Sequence, residues 1–142
     1  MRLLFEKVYG VDQIDSVAQS LLPILKEHGN VLFKGEVGAG KTTIIKSLVS
    51  LLGISNAVTS PTFGLVNDYE GKGVRIHHFD LYRIDDLQAL LNIGWEDYLL
   101  SGNWLWVEWP EKVPDAFDDS FLLLDLRKTE LEQVRQLQLF EL

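Results

Sequence analysis

One eight-residue stretch constrains this chain more than any other. Gly35-Glu36-Val37-Gly38-Ala39-Gly40-Lys41-Thr42 reads G-x-x-x-x-G-K-T, the pattern of a phosphate-binding loop between a buried strand and a helix. Glycine tolerates positive φ and lets another group approach the backbone closely. Successive N–H groups of such a loop form an anion nest, and the N-terminus of the helix that follows adds its dipole. The pattern predicts that Glu36, Val37, Gly38, Ala39, Gly40, Lys41, Thr42 and Thr43 cradle a nucleoside triphosphate. Lys41 reaches the β- and γ-phosphates, and the Thr42 hydroxyl takes one position on Mg²⁺.

The flanking residues supply the required context. Asn30–Lys34 is a short apolar run with the look of a buried strand. Thr42–Leu52 places Ile44, Ile45, Leu48, Leu51 and Leu52 at helical spacing, with Gly53 where a helix-ending glycine belongs. Upstream, Arg2–Val8 reads as a strand, and Asp12 is placed to cap a helix with an apolar face of Ile14, Val17, Ala18, Leu21, Leu22 and Leu25. Pro23 predicts a kink or an early stop there, because it removes a backbone donor.

Downstream of Gly53, residues 57–63 are rich in hydroxyls, include Pro61, and read as a loop. Two strands, 64–69 and 74–80, are joined by a glycine-containing turn over Glu70–Gly73. Asp85 or Asp86 caps a helix ending near Gly94, and Trp95–Leu100 adds helical turns. Asn103–Glu108 is the most strand-like run of the second half, and Ser120–Leu126 with Val134–Glu141 forms a closing hairpin. This order predicts a three-layer α/β domain with a mainly parallel central sheet and an antiparallel hairpin extension.

At 142 residues the chain is expected to form a single domain over 1–142. The absence of cysteine excludes disulfides and thiolate metal sites. No signal pattern and no long apolar run is present, so a soluble, cytoplasmic protein without membrane attachment is expected. The net charge is −8, and residues 51–142 carry 7 Lys+Arg against 16 Asp+Glu. That balance opposes a phosphate backbone unless a local basic groove overrides it.

A phosphate-binding loop needs a second acidic group, supplied at the end of a strand beside its own. Asp80, after Ile76-His77-His78-Phe79, and Glu108, after Trp104-Leu105-Trp106-Val107, both fit. The more apolar run before Glu108 favours it for Mg²⁺, directly or through water, leaving Asp80 to support the metal shell or orient the attacking water. Lys41, Asp80 and Glu108 are thus the expected catalytic set, with Thr42 and Glu108 as metal ligands. His77 and His78 are adjacent, so a strand turns them to opposite faces and they cannot share a metal; packing or surface roles are expected for them. Arg83 is a candidate for neutralising γ-phosphate charge or for a surface ion pair.

Four blocks occur in fixed order: Gly35–Thr43, Ser60-Pro61-Thr62-Phe63, His78-Phe79-Asp80-Leu81-Tyr82-Arg83 and Glu108-Trp109-Pro110. Together they resemble the TsaE (YjeE) family, bacterial ATPases of tRNA threonylcarbamoyladenosine biosynthesis, over roughly residues 10–115. The resemblance implies ATP and Mg²⁺ as cofactors and a partner-dependent ATPase. It also implies work with proteins of the TsaD and TsaB type, which modify adenosine 37 of tRNA, so that tRNA is met only through the complex. It assigns Lys41 and Thr42 to phosphate and Mg²⁺, Glu108 to Mg²⁺ and Asp80 to hydrolysis, and marks Ser60–Phe63 as a switch-like loop. The chain departs at Asp12-Gln13-Ile14, where family members often carry an acidic pair followed by Thr. The competing classes are a small-molecule or nucleotide kinase, for which no long acceptor-binding insert is present, and a nucleotide-gated adaptor with negligible turnover.

Lys41→Ala is expected to weaken nucleotide binding by about 1.5–3 kcal/mol, the worth of a charge-assisted contact, without unfolding the chain. Titration of a fluorescent ATP analogue against both proteins at equal folded fraction checks it. Unchanged affinity and unchanged hydrolysis would remove the loop from the chemistry.

Overall fold

The computed structural model describes residues 1–55 and 65–142. The switch-like block Ser60–Phe63 lies outside them. Seven strands form one sheet: β1 (Arg2–Gly10), β2 (Val31–Lys34), β3 (Val66–Gly71), β4 (Val74–Asp80), β5 (Trp104–Glu108), β6 (Leu122–Lys128) and β7 (Val134–Glu141). Their order across the sheet is β1-β7-β6-β2-β5-β4-β3. The four central strands, β6, β2, β5 and β4, run parallel, while β7, β1 and β3 are antiparallel to their neighbours.

Helices α1 (Ile14–His28) and α2 (Lys41–Leu51) cover one face of the sheet, and α3 (Leu87–Asn92) and α4 (Trp95–Leu100) the other. The first core packs Val17, Leu21, Leu25, Ile44, Ile45 and Leu48 against Val31, Phe33, Trp106 and Leu124. The second packs Leu90, Trp95 and Phe121 against Leu32, Phe79, Leu105 and Val107. Alternate residues of β2 and β5 therefore enter opposite cores, as expected of a central parallel strand buried on both faces. This is the three-layer α/β architecture the sequence predicts.

Two local expectations fail. Asp12 does not cap α1; it sits inside a short 3₁₀ turn, Val11–Gln13, and the Gly10 N–H instead donates to Gln13 Oε1 at 3.0 Å. Nor does Pro23 stop or divide α1, which continues to His28. Pro23 and Gln19, one turn earlier, both lie on the exposed face. The carbonyl that loses its donor can bond water there, which lowers the cost of the break. Asp86 rather than Asp85 caps α3, its Oδ1 accepting from Ala89 N–H at 2.9 Å. The β3–β4 turn narrows to Lys72-Gly73, with φ of 48° and 80°, the positive pair that a two-residue hairpin of matching twist requires.

Gly29 ends α1 with φ 83°, and its carbonyl accepts from Trp106 Nε1 at 3.0 Å. A Cβ at Gly29 would lie 2.8 Å from Trp104 Cδ1. This glycine sets how closely the helix end approaches β5, whose far end carries Glu108. Gly29→Ala is expected to cost about 1–3 kcal/mol from backbone strain and more if Trp104 must move. Urea denaturation followed by circular dichroism measures it; a loss below a few tenths of a kcal/mol would mean that α1 ends elsewhere without penalty.

Candidate functional site

The parallel register brings three strand ends level. Phe33 of β2 and Asp80 of β4 each pair with Glu108 of β5. The loop leaves β2 two residues after Phe33, so Asp80, Glu108 and the loop share one edge of the sheet, the edge where ligands bind in open α/β folds. Within the loop, Gly38 has φ 80° and Gly40 has φ 105°, and Gly40 stands at the N-cap of α2. A side chain at Gly40 would meet no atom within 4 Å; the glycine is required by conformation, not by space. At Gly35 the limit is space, because a Cβ would lie 2.8 Å from the Leu126 carbonyl oxygen.

Lys41 is only 6% exposed. Its ammonium donates to the Gly35 carbonyl oxygen and stands 3.5 Å from the centroid of the Trp109 ring, within the range of a cation–π contact. Burial pushes its pKa down, while Glu108, Glu111 and Asp80 pull it back up. Trp109 itself holds left-handed backbone angles, φ 59° and ψ 49°, a conformation that costs a non-glycine residue of order 1–3 kcal/mol and is found disproportionately at functional sites. Its ring also packs 4.9 Å from that of the exposed Tyr82.

Glu108 is 2% exposed. Its Oε2 is 2.6 Å from His78 Nε2, and His78 Nδ1 is 2.9 Å from the Tyr69 hydroxyl. Asp80 is less enclosed, and its Oδ1 accepts from Tyr82 N–H at 3.0 Å. Burial is the main influence that raises the Asp80 pKa, helped by the neighbouring Glu108 charge; the Tyr82 hydrogen bond, His78 and Lys41 oppose it.

Lys41, Asp80 and Glu108 are thus brought together, with Thr42 on the first turn of α2. Arg83 is exposed and makes no ion pair with another described residue. His77 faces away from the loop, bonding Asp68 Oδ1 at 2.6 Å and Asn103 at 3.0 Å. The sequence reading missed Tyr69 and the bridging place of His78. The available signal was the two-residue strand period, which puts His78 on the same face as Asp80. It also missed Lys128, whose Nζ would lie 3.2 Å from a Cβ at Gly38.

Beside the loop lies a cavity of about 140 Å³, walled by Tyr9, Val11, Ile14 and Arg135 and floored by Gly38–Gly40 and Thr43. Arg135 Nε is buried with no hydrogen-bond partner among the described residues, while Nη1 of the same side chain donates to the Glu132 and Val134 carbonyl oxygens. Burial raises the Tyr9 pKa, partly offset by Arg135.

A glycine loop between β2 and α2, with two acidic strand ends level with it, defines a three-layer P-loop domain. The family profile described as "Threonylcarbamoyl adenosine biosynthesis protein TsaE" matches residues 9–137. The chain belongs to the TsaE family. It is 34% identical over 110 residues to the Haemophilus influenzae protein named tRNA threonylcarbamoyladenosine biosynthesis protein TsaE, covering 77% of this chain and 70% of that one. The protein of the same name from Treponema pallidum is 33% identical, over 73% of this chain and 76% of its own length. The one from Nostoc is 37% identical over 59% of this chain and 54% of its own. A crystal structure of Bacillus subtilis YdiB superposes with a TM-score of 0.75 at 19% identity, covering 98% of this chain and 86% of that one; it shares the fold.

The raised Asp80 pKa has a stability consequence. A carboxyl whose folded pKa lies above its unfolded value loses stability for the fold as pH rises from the ordinary value of 3.8 through the folded pKa. Asp80→Asn keeps the Oδ1 acceptor for Tyr82 and removes the charge. It is expected to raise Tm at pH 7 in EDTA without nucleotide, and the gain should shrink as pH falls toward 3.8. A lower Tm at pH 7, or a gain independent of pH, overturns the assignment.

Proposed function

We infer that this chain is a Mg²⁺-dependent ATPase of tRNA threonylcarbamoyladenosine biosynthesis that acts through protein partners of the TsaD and TsaB type in the cytoplasm. The observation that carries this reading is the level placement of Asp80 and Glu108 beside the Gly38/Gly40 cradle. Family membership and the printed names of its relatives supply the pathway.

The donor set suits Mg²⁺. Among the described residues no group of three or more His, Asp and Glu gathers as an all-protein cage. Magnesium prefers one or two protein ligands, with phosphate oxygens and water completing its shell; Thr42 and Glu108 would be those ligands. When bound, the ion neutralises charge on the β- and γ-phosphates.

The chain's own residues do the rest. Residues 36–43 offer backbone N–H groups to the phosphates. Lys41 leaves the Gly35 carbonyl and the Trp109 ring for the β- and γ-phosphates, exchanging two modest contacts for a charge-assisted one. Asp80, raised in pKa and less enclosed than Glu108, orients the attacking water. Val11 and Ile14 offer apolar surface to the adenine. No described helix is long and apolar enough to cross a membrane.

The −9 balance outside the loop half opposes capture of tRNA by this chain alone. Single-turnover ATP hydrolysis with and without TsaD- and TsaB-type proteins is the test, alongside tRNA binding at about 150 mM salt, near physiological ionic strength. Hydrolysis is expected to be slow alone and faster with partners, and tRNA is expected to bind only to the complex. Turnover that partners leave unchanged, or tight, steeply salt-dependent tRNA binding by the isolated chain, would falsify the partner-mediated reading.

A further inference from the structure

We propose that Tyr69 and His78 form a buried clamp that fixes the orientation of the Glu108 carboxylate, making them positioning residues for metal-nucleotide binding; this rests on the function proposed above. The three side chains come from three adjacent strands, Tyr69 on β3, His78 on β4 and Glu108 on β5. They form one line through the interior: Tyr69 is 2% exposed, His78 fully buried and Glu108 2% exposed. An ionised Glu108 can only accept, so His78 Nε2 carries the proton of the 2.6 Å contact. Nδ1 then meets the Tyr69 hydroxyl at 2.9 Å, accepting from it if the ring is neutral and donating to it if the ring is cationic. In either case Nε2–H stays aimed at Glu108, and both ring nitrogens are occupied.

With Oε2 tied to the imidazole, the carboxylate is no longer free to rotate about its terminal bond. A free glutamate at this strand end has three side-chain torsions to settle; the clamp removes that freedom before any ligand arrives. A line of polar groups is an expensive way to fill this space. Apolar side chains of the same volume would fill it without the desolvation penalty of a buried charge. What the polar line supplies, and apolar packing does not, is a set direction for Glu108. Metal-binding side chains elsewhere rely on partners of this kind, and loss of the partner typically costs 10–100-fold in metal affinity or activity.

The experiment titrates a fluorescent ATP analogue against the full chain over a Mg²⁺ series and again in EDTA, with thermal melting by circular dichroism in parallel. His78→Leu is expected to raise the Mg²⁺ concentration for half-maximal binding by about 10–100-fold, while affinity in EDTA stays within about threefold. His78→Gln, whose amide N–H lies near the place of Nε2, is expected to recover most of the difference. Tyr69→Phe keeps the ring, removes the hydroxyl, and is expected to fall between. Equal loss of affinity in Mg²⁺ and in EDTA overturns the clamp. So does unchanged Mg²⁺ dependence in His78→Leu where Glu108→Ala has lost it. If His78→Leu does not fold, the other two variants decide, and wild-type Mg²⁺ dependence in both overturns the proposal. Nucleotide binding by the unaltered protein that is indifferent to Mg²⁺ overturns the clamp and the parent function together, which distinguishes that failure from failure of the clamp alone.

Discussion

Parallel pairing of β2, β5 and β4 is the constraint on which the rest of the structure depends. Antiparallel neighbours would alternate their strand ends between the two edges of the sheet. Parallel ones bring Phe33, Glu108 and Asp80 to a common level, so the glycine loop meets two acids that lie about 40 and about 70 residues further along the sequence. Such pairing is affordable only inside a sheet covered on both faces. The two cores under α1/α2 and α3/α4 are therefore a condition of the site, not a background to it. Gly29 belongs to the same condition, since the close approach of the α1 end to Trp104 and Trp106 holds β5 in place.

Within that frame, fixed charge is kept in reserve. Glu108 has His78 as its partner in a region closed to water, and Lys41 rests between a carbonyl oxygen and an indole face. Neither arrangement is the most favourable that a carboxylate or an ammonium can find. Both leave charge directed at the same end of the loop. The left-handed backbone of Trp109 is part of this tension, because it places the indole ring over the lysine at a cost to its own conformation.

Much of this was legible in the sequence because it depends on local pattern. The strands β2, β5 and β7 and helix α2 follow from apolar runs, alternation and a helix-ending glycine. The edge position of Asp80 and Glu108 follows from where their runs end. The unread features depend on pairing across the sheet. Tyr69, His78 and Glu108 are 9 and 30 residues apart, and only the β3-β4-β5 register aligns them. Reading His78 beside His77, its neighbour in sequence, hid its relation to Asp80, its neighbour on the same face. Asp12 and Pro23 were misjudged for the opposite reason. Asp12 gives way to a 3₁₀ turn closed by Gln13, and at Pro23 solvent on the outer face of α1 lowers the cost of the break.

The cavity beside the loop has walls from both extremes of the chain. Tyr9, Val11 and Ile14 come from its start, and Arg135 comes from β7, which reaches them by pairing with β1. The glycine loop is made early in synthesis, about 90 residues before this last wall. A nascent chain thus carries the loop residues while the adjoining cavity still lacks one side. Closure waits until β7 has been made and pairs with β1. A ligand that rests on the cavity as well as the loop therefore needs β7 in place on β1.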